Sequence, residues 1–373
     1  MVPSVSPESA RLDYASQQLD LSAALSGSGR LEEAVAAARE GVDALRDLAR
    51  FNGSYAVELA RALNFFAIRL GEAGHQAEGL ATAREVVSIR RHLAQADPAA
   101  HTAELAEALN NLSIDLHTAE QDADAMAAAQ ESVSLYRNLT RNDFSAHAPG
   151  LAMALNTLAN RLRNAGRQDE ALVAVQAVVS IRRDLVQSNP GAHAGELAAS
   201  LTNLAGHLAG AGRNEEASSP AQESVTLYRR LIWENPGPYT SGFAQALNNL
   251  VIVLTRVERL DEALVAEQEM VELYRSLARH NPTAYSHRLS IELIDLAKRL
   301  TNAEQNDEAL TVSQEATALL RSLVEHDPQS FTRSLIRALE VNATILEIRG
   351  QSEEASRLRH ELDMLVMRTG EGQ

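Results

Sequence analysis

Residues 105–143 read LAEALNNLSIDLHTAEQDADAMAAAQESVSLYRNLTRND. Leu105, Leu109, Leu112 and Leu116 step by four, three and four, which puts them on one face of a helix with 3.6 residues per turn. The pattern breaks at Glu120-Gln121-Asp122. Ala125, Ala129, Val133 and Leu135 then continue on a second helix. Asp143 stands in a column of exit residues, most of which precede a proline, and proline pushes its predecessor out of helical geometry. The stretch is therefore a helix hairpin with a tight internal turn and a marked exit.

The same pattern returns along the chain every 46 residues. One column holds Leu63, Leu109, Leu155, Leu201, Leu247, Leu293 and Leu339. An acidic column runs through Glu78, Asp124, Glu170, Glu216, Glu262, Glu308 and Glu354. The exit column is Asp97, Asp143, Asn189, Asn235, Asn281 and Asp327. Gly74, Gly166, Gly212 and Gly350 stand at the internal turn, a place where helices end on a left-handed residue. A weaker first copy, Gly29 to Ala34, fits if the loop near Asn52-Gly53 is one residue shorter. The spacing predicts about eight hairpins, hence about sixteen helices, with units starting near 14, 55, 101, 147, 193, 239, 285 and 331. Residues 14–368 read as a single domain, 1–13 as a poorly ordered lead and 369–373 as a polar tail. A first helix of about 18 residues would be about 27 Å long.

Asn203-Leu204, Leu208, Gly212, Glu216 and Ala217 make the pattern Asn-Leu-x-x-x-Leu-x-x-x-Gly-x-x-x-Glu-Ala, which resembles the tetratricopeptide repeat. The usual period of that family is shorter; a longer second helix gives this chain the look of kinesin-light-chain-like and actinobacterial arrays. Leu replaces the aromatic usual early in the first helix. The resemblance implies an all-α fold, a right-handed α-solenoid, whose first helices line a concave face. Pro220 breaks the pattern inside the second helix of one unit. Two readings stay open: a late helix start capped by Ser218 or Ser219, or a bend.

Composition narrows the function. Apolar residues make up 45% of the 373, but aromatics only 4%, so burial must come from close packing of Ala, Leu and Val. With 34 basic against 50 acidic residues, the net charge of −16 repels nucleic acid and anionic membranes. The absence of cysteine removes disulfides, thiol nucleophiles and Cys-ligated metals. No stretch has signal-peptide character or the ~18–20 apolar residues of a membrane span. The expectation is a cytoplasmic protein, and the near absence of lysine suggests a GC-rich, bacterial genome.

No phosphate loop, dinucleotide fingerprint, zinc-protease or nucleophile-elbow motif occurs. The ring column Tyr55, His101, His147, His193, Tyr239, Tyr285 and Phe331 exchanges His with Tyr and Phe, which points to packing and not to a metal. An arginine column (Arg46, Arg91, Arg137, Arg183, Arg229, Arg275, Arg321) near the end of the second helix reads as a dipole partner or a bond to the exit turn, with an anion-binding ridge as the sharper alternative. The expected protein has no catalytic residue, no metal and no cofactor.

The resemblance maps groove-facing positions onto Asn64, Asn110, Asn156, Thr202 and Asn248. An amide donates and accepts at once, so such a ladder could hold the backbone of an extended peptide. Ile252, Ile291 and Ile294 could form an apolar pocket beyond it, and Arg256, Lys298 and Arg337 a cationic patch for a carboxylate. The expectation is a non-enzymatic scaffold for a protein or peptide partner. The alternatives are a ligand-sensing regulatory subunit controlling a separate signalling ATPase or protease, and self-assembly into a homo-oligomer through the array ends.

Overall fold

The computed structural model describes residues 7–369. Sixteen α-helices occur among them: α1 (Pro7–Gly27), α2 (Leu31–Phe51), α3 (Ala56–Glu72), α4 (Gln76–Ala96), α5 (Pro98–Thr118), α6 (Asp122–Asn142), α7 (Phe144–Asn164), α8 (Gln168–Ser188), α9 (Pro190–Gly210), α10 (Asn214–Glu234), α11 (Pro236–Arg256), α12 (Leu260–His280), α13 (Pro282–Asn302), α14 (Asn306–His326), α15 (Pro328–Ile348) and α16 (Ser352–Thr369). The fold is all-α. From α4 to α15 every helix has 21 residues, so the first helix of a hairpin is about 31 Å long and matches the second, longer than its spacing predicts. α1 begins at Pro7 and takes in residues 7–13 of the expected lead. Residues 1–6 of that lead and 370–373 of the tail lie outside the described residues.

Two columns punctuate the hairpins. Inside each hairpin the chain turns on a left-handed residue: Gly74, Gly166, Gly212 and Gly350 have φ between 75° and 81°. Glu120, Glu258 and Glu304 fill the same column at 58°, 59° and 59°. The next amide then bonds back to the last turn, as in His75 N–H to Leu70 O (2.8 Å) and Gln121 N–H to Leu116 O (2.8 Å), so the turn forms whichever residue occupies it. Between hairpins the exit residue ends one helix and caps the next. Asp97, Asp143 and Asp327 accept from the amides of Ala100 (3.2 Å), Ala146 (2.9 Å) and Ser330 (3.2 Å). Proline follows at the first helical position of α5, α13 and α15, where no amide is needed.

The chain divides into two compact units, one to His193 and one from Ala194. In the first unit Leu45, Leu63, Phe66, Leu70, Leu109 and Leu116 are buried in one core. Alanines between them, with Ser113 and Ser132 bonded to the carbonyls of Ala125 (2.7 Å) and Ala106 (2.6 Å), let the helices approach closely. In the second unit Leu247, Leu254, Val225 and Tyr228 form one core cluster and Leu293, Leu300, Leu320 and Leu339 another. From α1 to α8 and from α10 to α16 successive helices pack in chain order, and first helices also meet, α5 on α7 and α13 on α15.

Pro220 lies inside α10, which already starts at Asn214. Ser218 and Ser219 are therefore helical residues and not caps, which rules out the late start. The Pro220 ring is buried. Pro149, inside α7, is a second such proline.

The arginine column neither bonds helix ends nor forms a free ridge. Five of its seven guanidinia reach a glutamate on the second helix of the following hairpin: Arg46 to Glu85 (2.6 Å), Arg91 to Glu131 (2.8 Å), Arg229 to Glu269 (2.6 Å) and Arg321 to Glu361 (2.7 Å), with Arg275 and Glu315 paired likewise. At Arg137 the glutamate position is Ala177. These half-exposed pairs contribute at most about 1 kcal/mol each; they set register more than stability.

Candidate functional site

In the first unit, α3 and α5 lie side by side over α4, and a trough runs between them. It consists of two cavities of 340 Å³ each that share Asn64, Val86, Ala108 and Asn111 as walls. Arg61, Arg90, Glu104 and Glu107 line one end. Ile68, Gly71, Ile114 and Asp115 line the other. The repeat explains the layout. Leu63, Phe66 and Leu70 turn one face of α3 into the core, so positions 61, 64 and 68 rise along the opposite flank. On α5 the equivalents of 61 and 68, Glu107 and Ile114, are raised likewise, but Asn110, the equivalent of Asn64, is buried and Asn111 beside it faces the trough.

The two ends differ in charge balance. Glu104 accepts from Arg90 (2.6 Å) and His101 (2.9 Å), with Arg61 at 4.0 Å. Burial pushes the Arg90 guanidinium below its ordinary value, partly offset by Glu104. At the other end, the Asp115 carboxylate has no hydrogen bond or ion pair among the described residues. Burial alone raises its pKa above the ordinary 3.8. Asn64 and Asn111 are half-buried and face the trough, with no side-chain bond to the protein among the described residues.

In the second unit a cavity of 530 Å³ lies between α11 and α13, lined in part by Gln245, Asn248, Tyr274, Tyr285 and Arg288. Arg288 stacks over the Tyr274 ring at 5.6 Å and pairs with the buried Glu292 at 2.6 Å. Burial raises the pKa of Glu292 and of Glu267, the latter against the lowering pull of Arg299.

The residues expected to face a groove separate into distinct sets. Asn64 and Asn248 line the two cavities, and Asn156 is half-buried. Asn110 is 1% exposed, with its Oδ1 unbonded in the core, and Thr202 is buried, bonded to Ala198 O (3.0 Å) and Ser224 Oγ (2.7 Å). Ile294 is buried, Ile291 half-buried and Ile252 exposed. The three cations of the expected patch all have partners within the protein. Arg256 donates to Ala209 O (2.8 Å), while Arg337 (2.6 Å) and Lys298 (3.8 Å) share Asp295. The asparagine column adjoins the leucine column, so small differences in neighbouring side chains decide whether each copy is covered. Arg61, Ile68, Asn111, Ile114 and Asp115 were missed. Their signal was the column pair 68/114, apolar residues on the flank opposite Leu63 and Leu109.

Architecture and cavities define an all-α repeat scaffold with cavities between neighbouring first helices. Its repeats are tetratricopeptide repeats: the family's repeat model matches residues 105–140, 151–190, 197–232 and 243–278, and the remaining hairpins keep the same columns. Among solved structures of like fold are BtubC (BKLC) from P. vanneervenii and the apo form of the quorum sensor NprR from B. thuringiensis. BtubC is 20% identical, with 66% of this chain and 92% of that one covered and a TM-score of 0.52. NprR is 12% identical, with 94% and 87% covered and a TM-score of 0.51. No curated protein matches the sequence. No described helix is long and apolar enough to cross a membrane.

Proposed function

We propose that the chain is a binding scaffold for an extended protein or peptide segment, seated in the α3/α5 trough of the first unit. The observation that carries this is the make-up of the trough: two uncommitted amides, Asn64 and Asn111, at its centre, flanked by Ile68 and Ile114, which are 49% and 45% exposed. An amide can hold a peptide group through both its donor and its acceptor, and the isoleucines gain by being covered. From Arg61 to Gly71 the trough spans about 15 Å, room for about four or five residues of extended chain.

A random dodecapeptide display library selected against the full chain tests the reading, with Ile68→Asp/Ile114→Asp as the counter-bait. Both isoleucines are exposed, so the variant should keep its fold, which thermal melting verifies. Peptides enriched on the natural chain and lost on the variant are expected. Absence of enrichment, or equal enrichment on both, overturns the proposal.

A further inference from the structure

We propose that the trough selects a basic side chain, lysine or arginine, at its Asp115 end; this rests on the peptide-binding reading above. The geometry supplies an aliphatic corridor ending in an acid. Ile68 on α3 and Ile114 on α5 stand exposed on either side, and Asp115 lines the same 340 Å³ cavity beyond them. A lysine or arginine side chain has that form: a methylene stem that gains from apolar walls and a cationic head that needs an acceptor.

The carboxylate is free to serve. The residues at its register on the neighbouring first helices are arginines, Arg69 and Arg161, yet neither neutralises it. Arg69 holds Glu72 at 2.8 Å and lies over the Phe65 ring at 4.9 Å, and the charge that acts on Arg161 is that of Asp122. Asp115 itself senses burial and no compensating cation. A half-buried carboxylate without a partner is costly for the protein alone and binds strongly to a cation brought to it. At the opposite end Glu104 is already taken by Arg90 and His101, and the exposed Glu107 shares that end with the cations Arg61 and Arg90, whereas no cation lines the Asp115 end. The net charge of −16 steers basic segments toward the surface.

The experiment uses the peptides enriched by the display selection, fluorescein-labelled, in anisotropy titrations with the full chain and with Asp115→Asn. The enriched peptides should share a lysine or arginine at one fixed position. Asp115→Asn should weaken binding about tenfold, as should glutamine in place of that basic residue. The two changes together should weaken it no further than either alone. Asp115→Asn removes a charge that bonds nothing, so it should fold, and its melting curve verifies this. If peptides are enriched and Ile68→Asp abolishes binding, but no basic position emerges or Asp115→Asn leaves affinity within about twofold, the selectivity is overturned while the binding reading stands. If no peptide is enriched, the binding reading falls and this inference falls with it.

Discussion

The α3/α5 trough of the first unit and the α11/α13 cavity of the second are built on the same register, four repeats apart. Arg61 corresponds to Gln245, Asn64 to Asn248, Arg90 to Tyr274 and Glu104 to Arg288. Further along, Ile114 corresponds to Lys298 and Asp115 to Arg299. Their charges have different fates. Arg299 is bonded to the buried Glu267 and to Thr255 Oγ1 (2.9 Å), and Lys298 lies by Asp295. Asp115 has no such neighbour among the described residues. One backbone frame thus carries a closed ionic network in the second unit and an open acid in the first. The lesson is that a charged column marks a binding surface only where its own neighbours leave the charge uncompensated.

The comparison can be broken most forcefully at Glu267. Glu267→Ala leaves Arg299 largely buried without its anion and should cost about 3 kcal/mol, read as a lower urea midpoint. A loss near zero would mean that the second unit's cations are not held by their neighbours, and the contrast with Asp115 would disappear. A smaller effect of opposite sign is expected at the internal turns, where the second unit has two left-handed glutamates and the first has one. Glu120→Gly, Glu258→Gly and Glu304→Gly should each stabilise by about 0.5–1 kcal/mol, because glycine removes the left-handed penalty but adds freedom to the unfolded chain. Thermal melting of the single and triple variants measures it.

The smallest effect sharpens the comparison in the first unit. Burial raises the pKa of Asp115 above 3.8, so the folded state resists its charge. At neutral pH, above that raised pKa, Asp115→Asn should stabilise by about 0.5 kcal/mol. The gain should vanish as the pH falls below about 3.8, where the carboxyl is protonated in folded and unfolded chain alike. Denaturation midpoints at pH 7 and pH 3.5 give both values. A variant less stable at pH 7 would mean that Asp115 has a partner in the protein.

The helix hairpins, their number and the phase of their cores were legible in the sequence. The site was legible only in part. Asn64 and Asn248 line cavities, while Asn110, in the same column, is covered. The arginine column was visible, but its glutamate partners, about 40 residues on, were not read as a second column.

By itself the sequence determined what depends on local geometry. Leucines at helical spacing define the buried face, Asp-Pro and Asn-Pro pairs define where helices exchange, and a 46-residue period repeats both. These follow from bond rotations and side-chain direction within a few turns, so the residue types suffice. Which polar residues stay open was decided only by the tertiary structure. Burial and charge compensation depend on side chains brought from about 32 to 42 residues away, as Glu267 is to Arg299 and Asp295 to Arg337. No local pattern encodes whether such a partner arrives. At Asp115 none does, and that vacancy gives the trough its proposed chemistry.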